Sequence, residues 1–179
     1  MVVRREVMTW TDVDKLIDHL MPQFEVEFDA MVMITRGGVV PGGMLAEALN
    51  LQTILTASVD FPSQMEELKK EETQSAKLVY WPKFLQFPVD NLLRDQRVLV
   101  VDDVWGSGRT ITAVKNRVAG AGGVTYTCVL HFNPYRSLFG TARPDYYAAS
   151  TDAYIVYPWE INRGPDAVIL GDYLPPEDR

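Results

Sequence analysis

The chain alternates short apolar runs with segments whose apolar residues recur at helical spacing. In TWTDVDKLIDHL, Val13, Leu16, Ile17 and Leu20 fall on one face, which predicts a helix opening near Thr9 or Thr11, capped by a threonine hydroxyl and stopped at Met21-Pro22. DAMVMITRGG reads as a buried strand running into a Gly-Gly turn, and VPGGMLAEAL as the helix after it. LQTILTASVD and RVLVV are further strands. In GRTITAVKNRVAGAGG, Ile111, Val114 and Val118 form one stripe and Gly120 to Gly123 the stop. VTYTCVLHF and DYYAAST complete the strands, whereas LVYWPKFLQFP is broken by Pro82 and Pro88 and receives none. Residues 61–77 are charged and have little to bury, as expected of a solvated excursion.

Apolar strands separated by helices predict an α/β fold, a mainly parallel central sheet flanked by helices. Ligands of such sheets bind beyond the carboxyl ends of the strands. The turns at 36–38 and 104–110 then share one rim. The 179 residues suit one domain, with a core over about 25–150 and a small hood from the N-terminal segment and residues 151–179.

Composition narrows the partners. A net charge of -7 argues against nonspecific nucleic-acid binding. No run approaches the roughly 18–20 apolar residues of a membrane span, so a cytoplasmic protein is expected. Cys128, the only cysteine, falls in a strand and reads as a buried thiol.

The chemistry concentrates in VLVVDDVWGSGRT. Gly106 and Gly108 free the backbone to turn, and the next helix begins with unpaired amides, so the loop offers an anion cradle to which Ser107 and Thr110 add hydroxyls. Asp102 and Asp103 end the strand just before it. Carboxylates there can accept hydrogen bonds from vicinal hydroxyls and hold Mg²⁺ directly or through water. A phosphate cradle beside diol acceptors suits a ribose 5-phosphate. The loop lacks the Gly-Lys-Ser/Thr of a Walker A motif and the spacing of GxGxxG.

This segment closely resembles the phosphoribosyl diphosphate (PRPP) signature of the type I phosphoribosyltransferases. VMITRGGVVPGGMLAEAL is similar to the diphosphate loop and helix of bacterial xanthine-guanine enzymes, and VMTWTDVDKLIDHLMP to their amino-terminal helix. DAYIVYPWE is similar to their purine-binding segment and to its hypoxanthine-guanine counterpart. The resemblance implies transfer of a phosphoribosyl group from PRPP to xanthine, guanine or hypoxanthine, with release of diphosphate and formation of a nucleoside monophosphate in purine salvage. It gives Arg36, Asp102 and Asp103 the catalytic positions. Gly37, Gly38, Gly106, Ser107, Gly108, Arg109 and Thr110 join them around PRPP, with Mg²⁺ as cofactor.

Tyr154 would stack on the base, Ile155 would read its edge through the backbone, and Asn133 would stand where xanthine-guanine enzymes use a lysine toward O6. The family's cis peptide bond is expected at Thr35–Arg36, its catalytic loop at 61–77, and a homodimer or homotetramer as the assembly. His131 is read as a strand residue, Trp159 as part of the hood and Lys83 as a surface lysine. Gly106 departs from the pattern: many 6-oxopurine enzymes place an aspartate there that assists the proton at N7. Two alternatives stay open, a non-catalytic PRPP-binding regulator and a phosphoribosyltransferase with another acceptor.

Overall fold

The computed structural model describes residues 4–61 and 81–160. Most of the segment expected as the catalytic loop, and the tail over 161–179, lie outside the described residues.

Among the described residues, eight strands and three α-helices follow in the order β1 (Arg5–Val7), α1 (Trp10–Leu20), β2 (Ala30–Ile34), α2 (Val39–Ala48), β3 (Ile54–Asp60), β4 (Lys83–Gln86), β5 (Arg97–Trp105), α3 (Arg109–Gly120), β6 (Val124–Phe132), β7 (Tyr146–Ser150) and β8 (Tyr154–Val156). Six strands form one sheet in the order β4-β3-β2-β5-β6-β7, parallel throughout except for β4 against β3. The α/β class with a mainly parallel central sheet therefore holds. β1 and β8 pair in a separate two-stranded parallel sheet, which ties the N-terminal segment to residues 154–156. Among the described residues, no helix is long and apolar enough to cross a membrane.

Helix α1 begins where its hydroxyl cap allows. Thr9 Oγ1 accepts from the Asp12 amide at 3.2 Å, and the Asp12 carboxylate accepts from the Thr9 amide at 3.0 Å, a reciprocal cap. Successive residues of β5 face opposite sides of the sheet. Leu99 and Val101 pack with Val13, Ile17 and Leu20 of α1 and Leu45 of α2. Val98 and Val100 pack with Ile111, Val114 and Val118 of α3. Two apolar layers thus clamp the sheet and hold the carboxyl ends of β2 and β5 side by side. Cys128 is buried in the first layer, and burial pushes its thiol pKa up.

The structure departs from the sequence reading in three places. Asp102 and Asp103 do not end β5: the strand runs on to Trp105, because β6 continues alongside it and pairs Val104 with His131 and Trp105 with Phe132. Lys83–Gln86 forms a strand between the two prolines, at the sheet edge, where a missing amide donor is tolerated. The three-residue strands β1 and β8 are too short to show a period.

The turn after β2 is pressed onto β5. A Cβ on Gly37 would lie 2.5 Å from the Asp103 carboxylate, and one on Gly38 would overlap the Val101 carbonyl oxygen and come within 2.9 Å of the Ile34 oxygen. Gly43, inside α2, has nothing within 4 Å of such an atom. Gly38→Ala is therefore expected to destabilise the fold by about 1–3 kcal/mol, and Gly43→Ala to stabilise it by about 0.5–1 kcal/mol, as read from denaturant unfolding. Equal effects of the two would contradict this packing.

Candidate active site

Two adjoining concavities open at the carboxyl ends of β2 and β5. The larger, about 590 Å³, is lined by the Thr35–Gly37 turn, Asp102, Asp103, Thr110, Trp159 and Glu160. The narrower, about 90 Å³, is lined by Gly106, Asn133, Arg136, Tyr154, Ile155 and Tyr157. Asp103 and Glu160 belong to both walls. The predicted meeting of the 36–38 and 104–110 turns at one rim is what the parallel pairing of β2 with β5 produces. The Thr35–Arg36 peptide bond is cis, and the Arg36 side chain is exposed at the larger cavity.

The loop from Gly106 to Thr110 turns at Gly108, whose φ of 78° is left-handed and which caps α3 without a side-chain bond. A Cβ there would overlap Trp105 Nε1, so both conformation and space call for glycine. The first amides of α3 have no partner within the helix and face the rim. Ser107 Oγ accepts from the Arg109 amide at 3.4 Å, so this hydroxyl supports the turn. The Arg109 guanidinium stacks 4.4 Å from the centre of the Phe61 ring.

Electrostatics at the paired acids are unfavourable by construction. Burial pushes the Asp102 pKa well up, and the neighbouring Asp103 charge adds to the shift. Burial likewise pushes Asp103 up to about 6, although its Oδ1 accepts from the Val104 amide at 2.7 Å, which works the other way. A cation or a set of hydroxyl donors would relieve both. Among the described residues, no group of three or more His, Cys, Asp or Glu could hold a metal ion. A divalent cation on this pair would therefore complete its oxygen shell from ligand and water, the usual habit of Mg²⁺.

Behind the acids lies a polar relay that the sequence reading did not single out. Tyr157 is 1% exposed, and its hydroxyl donates to the Asp103 carbonyl at 3.0 Å. That commits the phenol proton, so the imidazole 2.8 Å away must donate, placing the His131 proton on Nδ1. Burial pushes the His131 pKa down, consistent with a neutral ring. Trp159 stacks on Tyr157 with ring centres 4.5 Å apart and planes 6° apart. Its Nε1 is buried without a partner among the described residues. His131 is thus a strand residue with a supporting bond, and Trp159 lines the larger cavity. Lys83 is exposed on β4.

Asn133 is 1% exposed, and its Oδ1 accepts from the Tyr135 amide at 3.2 Å. The bond identifies which end of the amide is oxygen, and Nδ2, with only a long 3.5 Å contact to the Ala153 carbonyl, is the less engaged end. Tyr154 is 45% exposed at the mouth of that pocket, whereas the Ile155 side chain is buried.

The phosphoribosyl transferase domain family matches residues 9–161. The chain belongs to that family. It is accordingly an enzyme of the pentosyltransferase class. Its likeness to a xanthine-guanine phosphoribosyltransferase of Cereibacter sphaeroides is 29% identity over 136 residues, covering 74% of this chain and 69% of that one. An adenine phosphoribosyltransferase of Chlorobaculum tepidum is 31% identical over 113 residues, covering 63% of this chain and 60% of the other. The crystal structure of a purine phosphoribosyltransferase from Pyrococcus horikoshii superposes with a TM-score of 0.71 at 26% identity, covering 90% of this chain and 97% of that one.

Within this site, Tyr157 and Glu160 were legible only as members of the segment DAYIVYPWE. A buried tyrosine follows no spacing rule that separates it from core packing.

Two outcomes test the geometry. Tyr157→Phe leaves the Asp103 carbonyl and His131 Nδ1 without their partner, and is expected to cost about 1–3 kcal/mol of stability in denaturant unfolding. Because the Asp103 pKa is raised in the folded state to about 6, the stability it contributes is complete below about pH 4 and is lost as the pH rises through about 6. Asp103→Asn, without divalent cations, should raise the thermal midpoint at pH 7.5 by about 5 °C, with no gain at pH 4. A gain independent of pH would contradict the burial of this acid.

Proposed function

We propose that the protein transfers the 5-phosphoribosyl group of PRPP to a 6-oxopurine (xanthine, guanine or hypoxanthine), releasing diphosphate and forming the nucleoside monophosphate. The observation that carries this reading is the shared wall: a polar cavity with Arg36 and paired acids adjoins a narrower pocket with Asn133 and Tyr154, and Asp103 and Glu160 face both. Such a wall suits a reaction in which a charged sugar donor and a planar acceptor meet at one atom.

In this reading Arg36 and the backbone of Gly37 and Gly38 hold diphosphate as its charge grows. Asp102 and Asp103 accept from the ribose hydroxyls, and Gly106, Ser107, Gly108, Arg109 and Thr110 cradle the 5-phosphate. Mg²⁺, held by Asp102 and Asp103 directly or through water, would supply positive charge to the leaving diphosphate. Tyr154 offers a flat face to the base and the Ile155 backbone reads its edge. Positioning and electrostatic stabilisation then supply most of the rate. A cytoplasmic homodimer or homotetramer in purine salvage belongs to the same reading.

The preference for a 6-oxopurine is supported by Asn133. Its oxygen already accepts from the Tyr135 amide, whereas Nδ2 makes only the long 3.5 Å contact to the Ala153 carbonyl, so Nδ2 is the less engaged end toward the base. An N–H donor pairs with an oxo group, whereas the 6-amino group of adenine would set donor against donor. Such a mismatch costs about 1–3 kcal/mol, or roughly 5- to 150-fold in selectivity.

Diphosphate release from PRPP and Mg²⁺, measured with xanthine, guanine, hypoxanthine, adenine and no base, tests the proposal. Release is expected with at least one oxopurine and not with adenine. Asn133→Asp, which replaces the donor by an acceptor, should shift the ratio toward adenine by about 10-fold or more. Turnover with adenine alone would overturn the oxopurine reading.

A further inference from the structure

Forming a bond between a neutral purine nitrogen and the ribose leaves one proton too many on the base. As the nitrogen–C1 bond forms, the C1–oxygen bond breaks and its electron pair leaves with diphosphate. The surplus proton must pass from an imidazole nitrogen of the base to an acceptor. Gly106, on the loop beside the narrower pocket, has no side chain to receive it.

That pocket has two carboxylates on its wall, Asp103 and Glu160. Asp103 is 9% exposed, its Oδ1 is bonded to the Val104 amide, and its carboxyl is packed against Gly37. Glu160 is held differently. Its Oε2 accepts from the Tyr157 amide at 2.8 Å, and its own amide donates to the Tyr157 carbonyl at 3.0 Å. This two-bond turn fixes the carboxylate while leaving Oε1 without a hydrogen bond or ion pair among the described residues. The stacked rings of Tyr157 and Trp159 brace the turn from within. Glu160 is also exposed, so a proton taken from the base can pass on to water.

We infer that Glu160 is the catalytic base of this site, accepting the purine proton as the new bond to ribose forms. The inference rests on the transferase reading above and adds the residue that completes its proton balance. It also explains how a loop with glycine at position 106 can serve such a reaction. The acid is presented to the same pocket by the segment after β8 rather than by the loop after β5.

Glu160→Gln keeps an oxygen for the Tyr157 amide and removes the acceptor. With the base that gives turnover in the unmodified enzyme, kcat is expected to fall about 10²–10³-fold, with the KM for PRPP within about threefold and the thermal midpoint unchanged. Nothing lies within 4 Å of a Cβ built on Gly106, so Gly106→Asp fits sterically and would offer a carboxylate at the same pocket. Adding it to Glu160→Gln should restore kcat at least about tenfold, which general repair of the fold would not do.

Unchanged kcat in Glu160→Gln overturns the inference. So does loss of activity recovered by excess Mg²⁺, which would make Glu160 a cation ligand. Failure of the unmodified enzyme to release diphosphate with any base overturns the transferase reading, and this inference with it. Turnover by the unmodified enzyme separates the two cases.

Discussion

Everything in the site depends on how closely the turn after β2 approaches the acids of β5. Two parallel strands paired in register carry Thr35–Gly38 and Asp102–Asp103 to the same height. There the separation leaves no room for a Cβ on Gly37 or Gly38. The backbone of the turn is thereby brought against β5 and the Asp103 carboxylate without intervening side chains. Apolar layers on both faces of the sheet hold that approach, because neither strand can shift without displacing Leu99 and Val101 from one layer or Val98 and Val100 from the other.

The same approach concentrates negative charge in a partly buried place, on a chain already at -7. Two adjacent carboxyls with raised pKa values are a cost to the empty fold. The cost is sensible only where a ligand brings compensating donors or a cation, the usual tension between stability and function at a binding site. Arg36 adds positive charge to the same cavity, so the acidity of the whole chain does not set the local charge there.

Support for the acids comes from behind. The Tyr157 hydroxyl joins the Asp103 carbonyl to His131, and the Tyr157 amide joins Glu160. One residue thus links the β5 acids, the floor on β6 and the segment after β8. The purine-like segment is consequently more than a lid: its backbone turn positions a carboxylate, and its rings fill the space beneath. Buried polar links of this kind constrain geometry because each partner is costly to leave unpaired.

Several features were legible from residue order alone. The helix at Trp10–Leu20, its threonine cap, the strands carrying AMVMI and VTYTCVLHF, and the stripe of Ile111, Val114 and Val118 follow from periodicity, because burial on one face imposes a repeat. The turn in DDVWGSGRT was equally local, since its glycines announce a tight backbone within a few residues. What the sequence could not express was reach. β4, β1 and β8 form because a partner strand is already there, and β5 extends past its acids because β6 runs alongside. The engagement of Asn133 Oδ1 depends on an amide two residues away in a folded turn, and the place of Tyr157 depends on Asp103, 54 residues away along the chain. Local pattern records which face is buried; only the tertiary packing decides which polar groups that burial leaves facing one another.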